Sequence, residues 1–346
     1  NGPLHLGQLA GCYLAAEIFA RFNRLIGNDV LMVSGSDSHG TPITIRADQE
    51  NVNPKEIADR FHAQFLNTWA QLGITFDLFT TTQTENHQQA VHEIFKVLLD
   101  RGYIYPATME LAHCSGCARF LPDRYVEGTC PHCSQERARG DQCDLCGPTL
   151  DPKDLVLPHC ALCGLAPTFR DSEHFFLKLS EFEQPLLKWA NQQEHWRANV
   201  VNFTRSFLES GLKDRAITRD LSSGVPVPLD GYDDKRIYVW FEAVIGYLSA
   251  AIEWAENSGN PDSWKDFWLD PETKSYYFIG KDNIPFHSII WPAIIMAYGH
   301  DLNLPYDVPA NEFLSLENRK FCTSQNWAVW LPDYLEAYDP DPLRYL

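Results

Sequence analysis

The chain alternates between stretches with helical spacing and short runs that are apolar throughout. After His5-Leu6-Gly7-Gln8-Leu9-Ala10-Gly11, apolar residues recur at Tyr13, Leu14, Ala15, Ile18, Phe19, Phe22 and Leu25, which predicts an amphipathic helix. Gly27-Asn28-Asp29 stops it. Val30 to Gly35 predicts a short strand buried on both faces, as in parallel sheets. Polar residues, Ser36-Asp37-Ser38-His39-Gly40-Thr41-Pro42, follow at its C-terminal end, where open α/β sheets bind ligands. Ile43 to Gly102 predicts mainly helix. One helix starts at Asn53-Pro54, with Asn as cap and Pro at the first position, and a second runs through Asn86–Arg101. Tyr103 to Pro106 is strand-like. Further on, Asp171 to Leu212 reads as helical. Ile237 to Phe241 reads as a buried strand entering a helix from Glu242 to about Asn257. Ser275 to Gly280 reads as a third strand, before a helix from about Pro285 to Tyr298. Strands alternating with helices predict an α/β fold built on a parallel sheet.

Composition narrows the picture. A chain of 346 residues holds one or two domains plus an insert. It is 45% hydrophobic, 13% aromatic and 21% charged, which is globular rather than disordered. No apolar run reaches the roughly 18–20 residues of a membrane span; those around Ile289–Tyr298 and Ile245–Ala251 are short and interrupted. No charged-then-apolar leader opens the chain. Lys and Arg number 28 against 46 Asp and Glu, a net charge of −18. Such a chain is no general nucleic-acid binder, and any RNA contact has to come from local basic features.

The stretch from about Leu111 to Phe169 breaks the α/β pattern. It is rich in Gly and Pro, poor in large apolar residues, and holds eight of the ten cysteines as four Cys-x-x-Cys pairs: Cys114/Cys117, Cys130/Cys133, Cys143/Cys146 and Cys160/Cys163. One such turn presents two thiolates to a tetrahedral metal, and two turns complete four-coordination. Eight thiolates match two zinc ions, structural because a closed four-thiolate site leaves no open position. Gly147 and Gly164 follow the second Cys of their pairs, where a knuckle turn tolerates left-handed backbone. Spacing alone leaves sequential and nested pairings both open. Cysteines used this way place the chain in a reducing compartment. Cys12 and Cys322 stand outside the cluster as expected free thiols.

Two further segments carry candidate chemistry. His5-x-Gly7 opens a helix after Pro3, where a helix N-terminus favours phosphate charge and a histidine can stabilise a leaving phosphate. Lys320-Phe321-Cys322-Thr323-Ser324 sets a lysine among hydroxyl neighbours, a composition suited to a phosphate-gripping loop. Together these segments resemble the "HIGH" and "KMSKS" signatures of the class I aminoacyl-tRNA synthetases. Ser34–Pro42, Tyr238–Tyr247, Gly280–Pro292, Arg170–Phe176 and the knuckle stretch resemble the methionyl branch of that class, in order and over nearly the whole chain.

The resemblance implies a Rossmann-type doubly wound parallel sheet with an inserted zinc-knuckle connective-peptide module. It divides the chain into 1–105 and 171–315 as halves of the nucleotide-binding catalytic domain, 106–170 as the insert, and 316–346 as the signature loop and a junction. It implies ATP-dependent activation of L-methionine and transfer to tRNA(Met) in the cytoplasm. His5, Gln8, Lys320 and Thr323 would serve catalysis. Those four, with Gly7, Gly280, Asp282 and Asn283, would bind ATP, which enters as a substrate with Mg2+, although no dedicated magnesium cage is legible. Asp37 would pair with the methionine ammonium, and Trp240, Ala243, Tyr247, His287 and Trp291 would wall its side chain, a setting suited to a polarizable thioether. The nested zinc pairing also follows from the family: Cys130, Cys133, Cys143 and Cys146 on one ion, Cys114, Cys117, Cys160 and Cys163 on the other.

The chain also departs from the signatures. Gln8 stands where the family has His, Cys322 where it has Ser, Thr323 at the second Lys, and Gln325 where a basic residue is common. The changes at 8, 323 and 325 remove charge, or possible charge, from the phosphate-binding apparatus, and one such contact is worth on the order of 3 kcal/mol, or ~100-fold in rate. They frame an alternative, a catalytically impaired paralogue with an RNA-binding or regulatory role. The strand that normally precedes Asn1 and the helical anticodon-binding domain after Leu346 are expected to lie outside this sequence.

Overall fold

The computed structural model describes residues 2–140, 143, 150–321 and 327–345. Their contacts divide into two compact units, 1–103 with 178–214 and 239–346, and 104–177 with 215–238.

The first unit is α/β. The strands Val33–Ser36 and Leu78–Thr81 pair in parallel from Val33 opposite Leu78 to Ser36 opposite Thr81, and Ile279–Gly280 pairs in parallel with Ala310–Asn311. The helices of this unit include Leu14–Leu25, Thr41–Glu50, Pro54–Leu72, Glu85–Asp100, Val239–Asn257 and Trp291–Tyr298, and the 239–257 helix packs on the first pair of strands. The 54–72 helix begins where the sequence predicts. Asn53 Oδ1 accepts from the Lys55 N–H at 2.9 Å, the Glu56 carboxylate takes the Asn53 N–H, and Gly73 at φ +64° ends the helix in the left-handed region. Its apolar side closes a cluster of Leu4, Leu9, Leu14, Trp69, Leu72, Ile74, Leu331 and Leu343. The cluster draws on both ends of the described chain, so it holds the first helical turns where the site needs them.

Three sequence expectations change here. The stretch 43–102 is not all helix, because Leu78–Thr81 is a strand; its β-branched threonines mark it. The buried strand expected at 237–241 is strand only over Lys235–Ile237, and the helix starts at Val239. A short run of apolar residues does not separate buried strand from buried helix, and the 239–257 helix buries residues nearly all round. At 275–280 the ladder shrinks to Ile279–Gly280, with one parallel bridge from Tyr276 to Asp307.

The second unit is built on a long antiparallel pair, Ile104–Cys114 with Thr168–Leu177, flanked by Arg119–Phe120 and Arg215–Ala216. A separate sheet orders Ala138–Arg139, Val126–Thr129 and Val156–Cys160. The expected helix from 171 is therefore a strand to 177, with helices at Glu183–Ala190 and Ala198–Glu209 beyond it, in the first unit. Its inward residues, Ser172 and His174, are polar, which hides the period of two from a reading of apolar positions. They are buried because they are paired. His174 Nδ1 and Nε2 lie 3.0 Å from Thr218 Oγ1 and Asp220 Oδ2, Ser172 Oγ donates to Asp220 Oδ2 at 3.0 Å, and Lys235 Nζ donates to both Ser172 Oγ and Asp220 Oδ1. This unit takes in 215–238 as well as the insert. Among the described residues no helix is long and apolar enough to cross a membrane.

Candidate functional site

The site starts at the first helical turn. His5 Nδ1 accepts from the Gln8 N–H at 3.2 Å and Gln8 Oε1 accepts from the His5 N–H at 2.9 Å, a reciprocal cap. With Nδ1 accepting, the imidazole carries its hydrogen on Nε2. Burial lowers its pKa, so it is neutral near pH 7. Gln8 thus has a local role, in which its carboxamide oxygen caps the helix and its NH2 end remains a donor. Packing around Gly7 is tight. A Cβ there would stand 3.2 Å from the His5 ring and 3.2 Å from Phe321 Cδ2.

That second contact brings the chain's two ends together. Phe321 meets His5 edge-on with ring centroids 5.5 Å apart, Trp330 lies 6.1 Å from the same imidazole, and His5 and Trp330 form a β-bridge. Lys320, next to Phe321, sits with Nζ 3.3 Å from the Phe313 ring centroid, and Lys281 Nζ lies 4.8 Å from that same ring. Cys322 and Thr323 lie outside the described residues.

The loop after the 33–36 strand holds Asp37. Its Oδ1 accepts from the His39 N–H at 3.3 Å. Asp37 keeps contact with solvent, but the protein crowded around its carboxyl, and after it the charge of Glu242, raise that carboxyl to about 6. Ser38 fixes the loop to the neighbouring strand end, Oγ to Thr81 Oγ1 at 2.7 Å and N–H to Thr82 Oγ1 at 3.0 Å. From the 239–257 helix come Trp240, Ala243 and Tyr247, on one face by their spacing. Trp240 stacks on Phe286 with centroids 4.0 Å apart and planes 13° apart. Tyr247 Oη lies 2.7 Å from His287 Nε2, and His287 Nδ1 lies 2.9 Å from the Asn283 carbonyl oxygen. The carbonyl can only accept, so Nδ1 carries the hydrogen and Nε2 accepts from the tyrosine. Burial drives the His287 pKa down to about 4, and the side chain stays neutral.

His287 falls in a wide turn, Phe286–Ile290, where the Trp291 N–H reaches back five residues to the Phe286 carbonyl. Such π-turns recur at functional sites. Trp291 is fully buried and donates from Nε1 to Tyr277 Oη at 3.1 Å, so it backs the cluster from the core. The Tyr277 hydroxyl is itself pushed up to about 12 by burial. Asp282 and Asn283 lie in the short turn Lys281–Asn283, and a Cβ on Gly280 would stand 2.8 Å from Asp282 Oδ1.

The second unit holds the cysteines. The sulfurs of Cys114, Cys117, Cys160 and Cys163 lie within 4.8 Å of one another, as do those of Cys130, Cys133 and Cys143; Cys146 lies outside the described residues. Cys114 and Cys163 sulfurs are 3.3 Å apart, Cys117 and Cys160 3.8 Å, Cys133 and Cys143 3.6 Å. Disulfide sulfurs lie at about 2.0 Å, whereas four thiolates about 2.3 Å from a tetrahedral zinc are about 3.8 Å apart. The donor set and its spacing therefore fit metal ions. The Cys117 N–H donates to Cys114 Sγ at 3.4 Å, a knuckle contact that pulls the Cys114 thiol down to about 7.

Comparison with known proteins decides the family. The family described as tRNA synthetases class I (M) matches residues 1–346. This chain belongs to the class I tRNA synthetases, group M. It is 58% identical over 344 residues to the methionine–tRNA ligase of Thermomicrobium roseum, covering 99% of this chain and 59% of that protein. To the methionine–tRNA ligase of Dehalococcoides mccartyi strain CBDB1 it is 59% identical over 346 residues, covering 62% of that protein. Among solved structures it is similar to Mycobacterium tuberculosis methionyl-tRNA synthetase bound by methionyl-adenylate, with a TM-score of 0.74 at 26% identity, covering 99% of this chain and 61% of that one. The chain thus spans about three fifths of the length of these relatives. The Rossmann-type class I fold expected from the sequence is the fold of this family. Nothing in the comparisons favours the impaired-paralogue alternative.

Several supporting residues were given no role from the sequence, although His39, Glu242, Phe286 and Phe321 lie inside the segments that carry the resemblance. Glu242, His39, His87, Phe286, Tyr277, Phe321 and Trp330 all support the side chains above. Glu242 left a signal, a lone carboxylate inside the apolar run Val239–Ile245. Trp330 left none, because its meeting with His5 depends on folding.

Proposed function

We propose that this chain is the catalytic region of a methionine–tRNA ligase. It activates L-methionine with ATP to methionyl-adenylate, releasing pyrophosphate, and transfers the methionyl group to tRNA(Met) in the cytoplasm. Residues 1–103, 178–214 and 239–315 form the nucleotide-binding domain, 104–177 with 215–238 the unit that carries the insert, and 316–346 the signature loop and junction. The observation that carries this reading is the meeting of the two signature segments, with Phe321 edge-on to His5 beside Gly7.

The chemistry asks mainly for positioning and charge stabilisation. The ionised Asp37 carboxylate takes the methionine ammonium. Trp240, Ala243, Tyr247 and His287, backed by Trp291, accept an uncharged thioether. The Tyr247 hydrogen is committed to neutral His287, so the phenol presents no free charge, and a lysine or glutamate side chain would meet an uncompensated desolvation cost. His5 offers its Nε2–H and Gln8 its NH2 to the ATP phosphates, with Gly7, Gly280, Asp282 and Asn283 at the nucleotide. Lys320 supplies positive charge as pyrophosphate leaves, Thr323 of the same signature segment serves with it, and Mg2+ accompanies the triphosphate. The two cysteine sets hold structural zinc ions that staple the insert, the first as Cys114, Cys117, Cys160 and Cys163, the second as Cys130, Cys133, Cys143 and Cys146. Gln8 is a tolerated variation because its cap to His5 keeps the first turn in place.

The test is charging of tRNA(Met) with labelled methionine by the full-length protein, beside Lys320→Ala. The reading expects methionyl-tRNA from the unmodified protein and a loss of about 100-fold or more in the variant. Charging with another amino acid in preference to methionine, or none at all, would overturn it.

A further inference from the structure

One buried polar cluster takes no part in the chemistry above. The Glu242 carboxylate is fully buried in the 239–257 helix. It receives two imidazoles: His39 Nδ1 lies 2.7 Å from Oε1 and His87 Nε2 lies 2.6 Å from Oε2. His87, 1% exposed, places its other nitrogen 2.9 Å from Ser249 Oγ. A carboxylate at this depth is tolerable only when paired. Burial works to raise the Glu242 pKa, but the two imidazoles outweigh it and hold Glu242 below its ordinary range. Burial also opposes charge on His39, and again the Glu242 bond and charge prevail, raising its pKa.

Asp37 stands two residues before His39, so two carboxylates share this neighbourhood. Their environments push them apart, with Glu242 as the permanent charge and Asp37 as the titrating one. The groups acting electrostatically on Asp37 are Glu242 from the 239–257 helix, His39 from its own loop and His87 from the 85–100 helix. His62, on the 54–72 helix, lies 2.9 Å from Ser36 Oγ instead, and Glu253 is taken up by Thr80. His39 links the two carboxylates physically. Its ring is anchored on Glu242 and its main-chain N–H reaches Asp37 Oδ1.

We propose that Glu242, acting through His39, is a positioning residue for Asp37: the buried carboxylate pins the His39 ring, and the pinned residue holds the Asp37 carboxylate toward the substrate amine. The inference rests on the reading of Asp37 as the amine anchor. The Glu242 charge adds to desolvation in raising the pH at which that anchor ionises, and the His39 imidazolium offsets that charge. Removing either partner therefore moves the anchor in opposite directions. Without the Glu242 charge, Asp37 ionises at lower pH. Without the His39 cation, Asp37 faces an undercompensated Glu242 and ionises at higher pH.

The experiment is methionine affinity by calorimetry from about pH 5 to 8, on the intact protein and on Glu242→Gln, His39→Asn and Asp37→Asn. The unmodified protein should lose methionine as pH falls through about 6. Glu242→Gln should move that midpoint down by on the order of one unit. His39→Asn should move it up and weaken binding above it by about tenfold. A merely structural role would leave the midpoint in place. Midpoints that stay put, or move the same way, in variants with unchanged circular dichroism overturn the proposal. Should Glu242→Gln not fold, His39→Asn decides alone, since its midpoint must rise. If Asp37→Asn binds methionine with the pH profile of the unmodified protein, Asp37 is no amine anchor and both readings fall. A lost profile there with unmoved midpoints in the other variants overturns this inference only.

Discussion

His287 shows how a single buried residue reports on the site. Its pKa in the folded chain is about 4 against 6.5 for an exposed histidine, because burial disfavours the imidazolium. The unfolded chain thus takes up a proton between those values before the folded chain does. The stabilisation from keeping His287 neutral is complete above about pH 6.5 and is lost as pH falls through about 4, a span worth on the order of 3 kcal/mol. Asp37, with its carboxyl raised, contributes with the opposite sign between 3.8 and about 6. Melting temperature against pH for the protein and for His287→Gln isolates the histidine: the variant should lose the acid-side fall that His287 contributes. Gly7 makes a second residue-scale case. Gly7→Ala puts a Cβ 3.2 Å from both His5 and Phe321, so we expect methionine activation to drop by about 10-fold or more while methionine affinity holds. Legibility at this scale follows how far a partner lies along the chain. The capping pair His5 and Gln8 is local, yet the sequence reading gave both residues only to the phosphates, because a histidine is not among the usual cap residues. The bond from His39 to Glu242 spans 203 residues, and the sequence offered only an isolated carboxylate in an apolar run.

At the scale of elements, local signals were legible where caps carry them. Asn53, Pro54, Glu56 and Gly73 mark a helix whose ends the structure places accordingly. Replacing Asn53 by alanine removes the cap and should cost about 1 kcal/mol of stability, read by denaturant unfolding, with methionine affinity unchanged because the cap lies outside the site. Elements were illegible where burial is two-sided or the buried residues are polar. The 168–177 strand turns Ser172 and His174 inward and satisfies them with Asp220, Thr218 and Lys235, so its apolar pattern is blurred. The 239–257 helix begins in a run of apolar residues that a strand would use equally well. The wide turn at 286–290 has no sequence signature, yet it falls at His287.

For the whole molecule, the two compact units answer to different forces. The first buries aliphatic and aromatic side chains drawn from both ends of the described chain. The insert of the second relies on cysteine clusters whose sulfur spacing fits metal. Cys114→Ser should therefore release one zinc equivalent and lower the stability of the insert, measured by metal analysis and calorimetry; an unchanged metal content would refute the ligand assignment. Strong chelation should melt the insert in a step separate from the first unit. The cysteine arithmetic was legible because each pair is local; spacing left the partnership of distant pairs open, the resemblance implied the nested one, and the sulfurs of Cys114, Cys117, Cys160 and Cys163 gather in that arrangement.

The central claim, that the two signature segments meet to make a methionine-activating centre, is tested most directly by methionine-dependent exchange of pyrophosphate into ATP by the full-length protein, beside Gln8→His and Lys320→Ala. Robust exchange is expected in the unmodified protein, with little change for His at position 8 and a loss of about 100-fold or more without Lys320. Absence of exchange in the unmodified protein, or exchange indifferent to methionine, would contradict it.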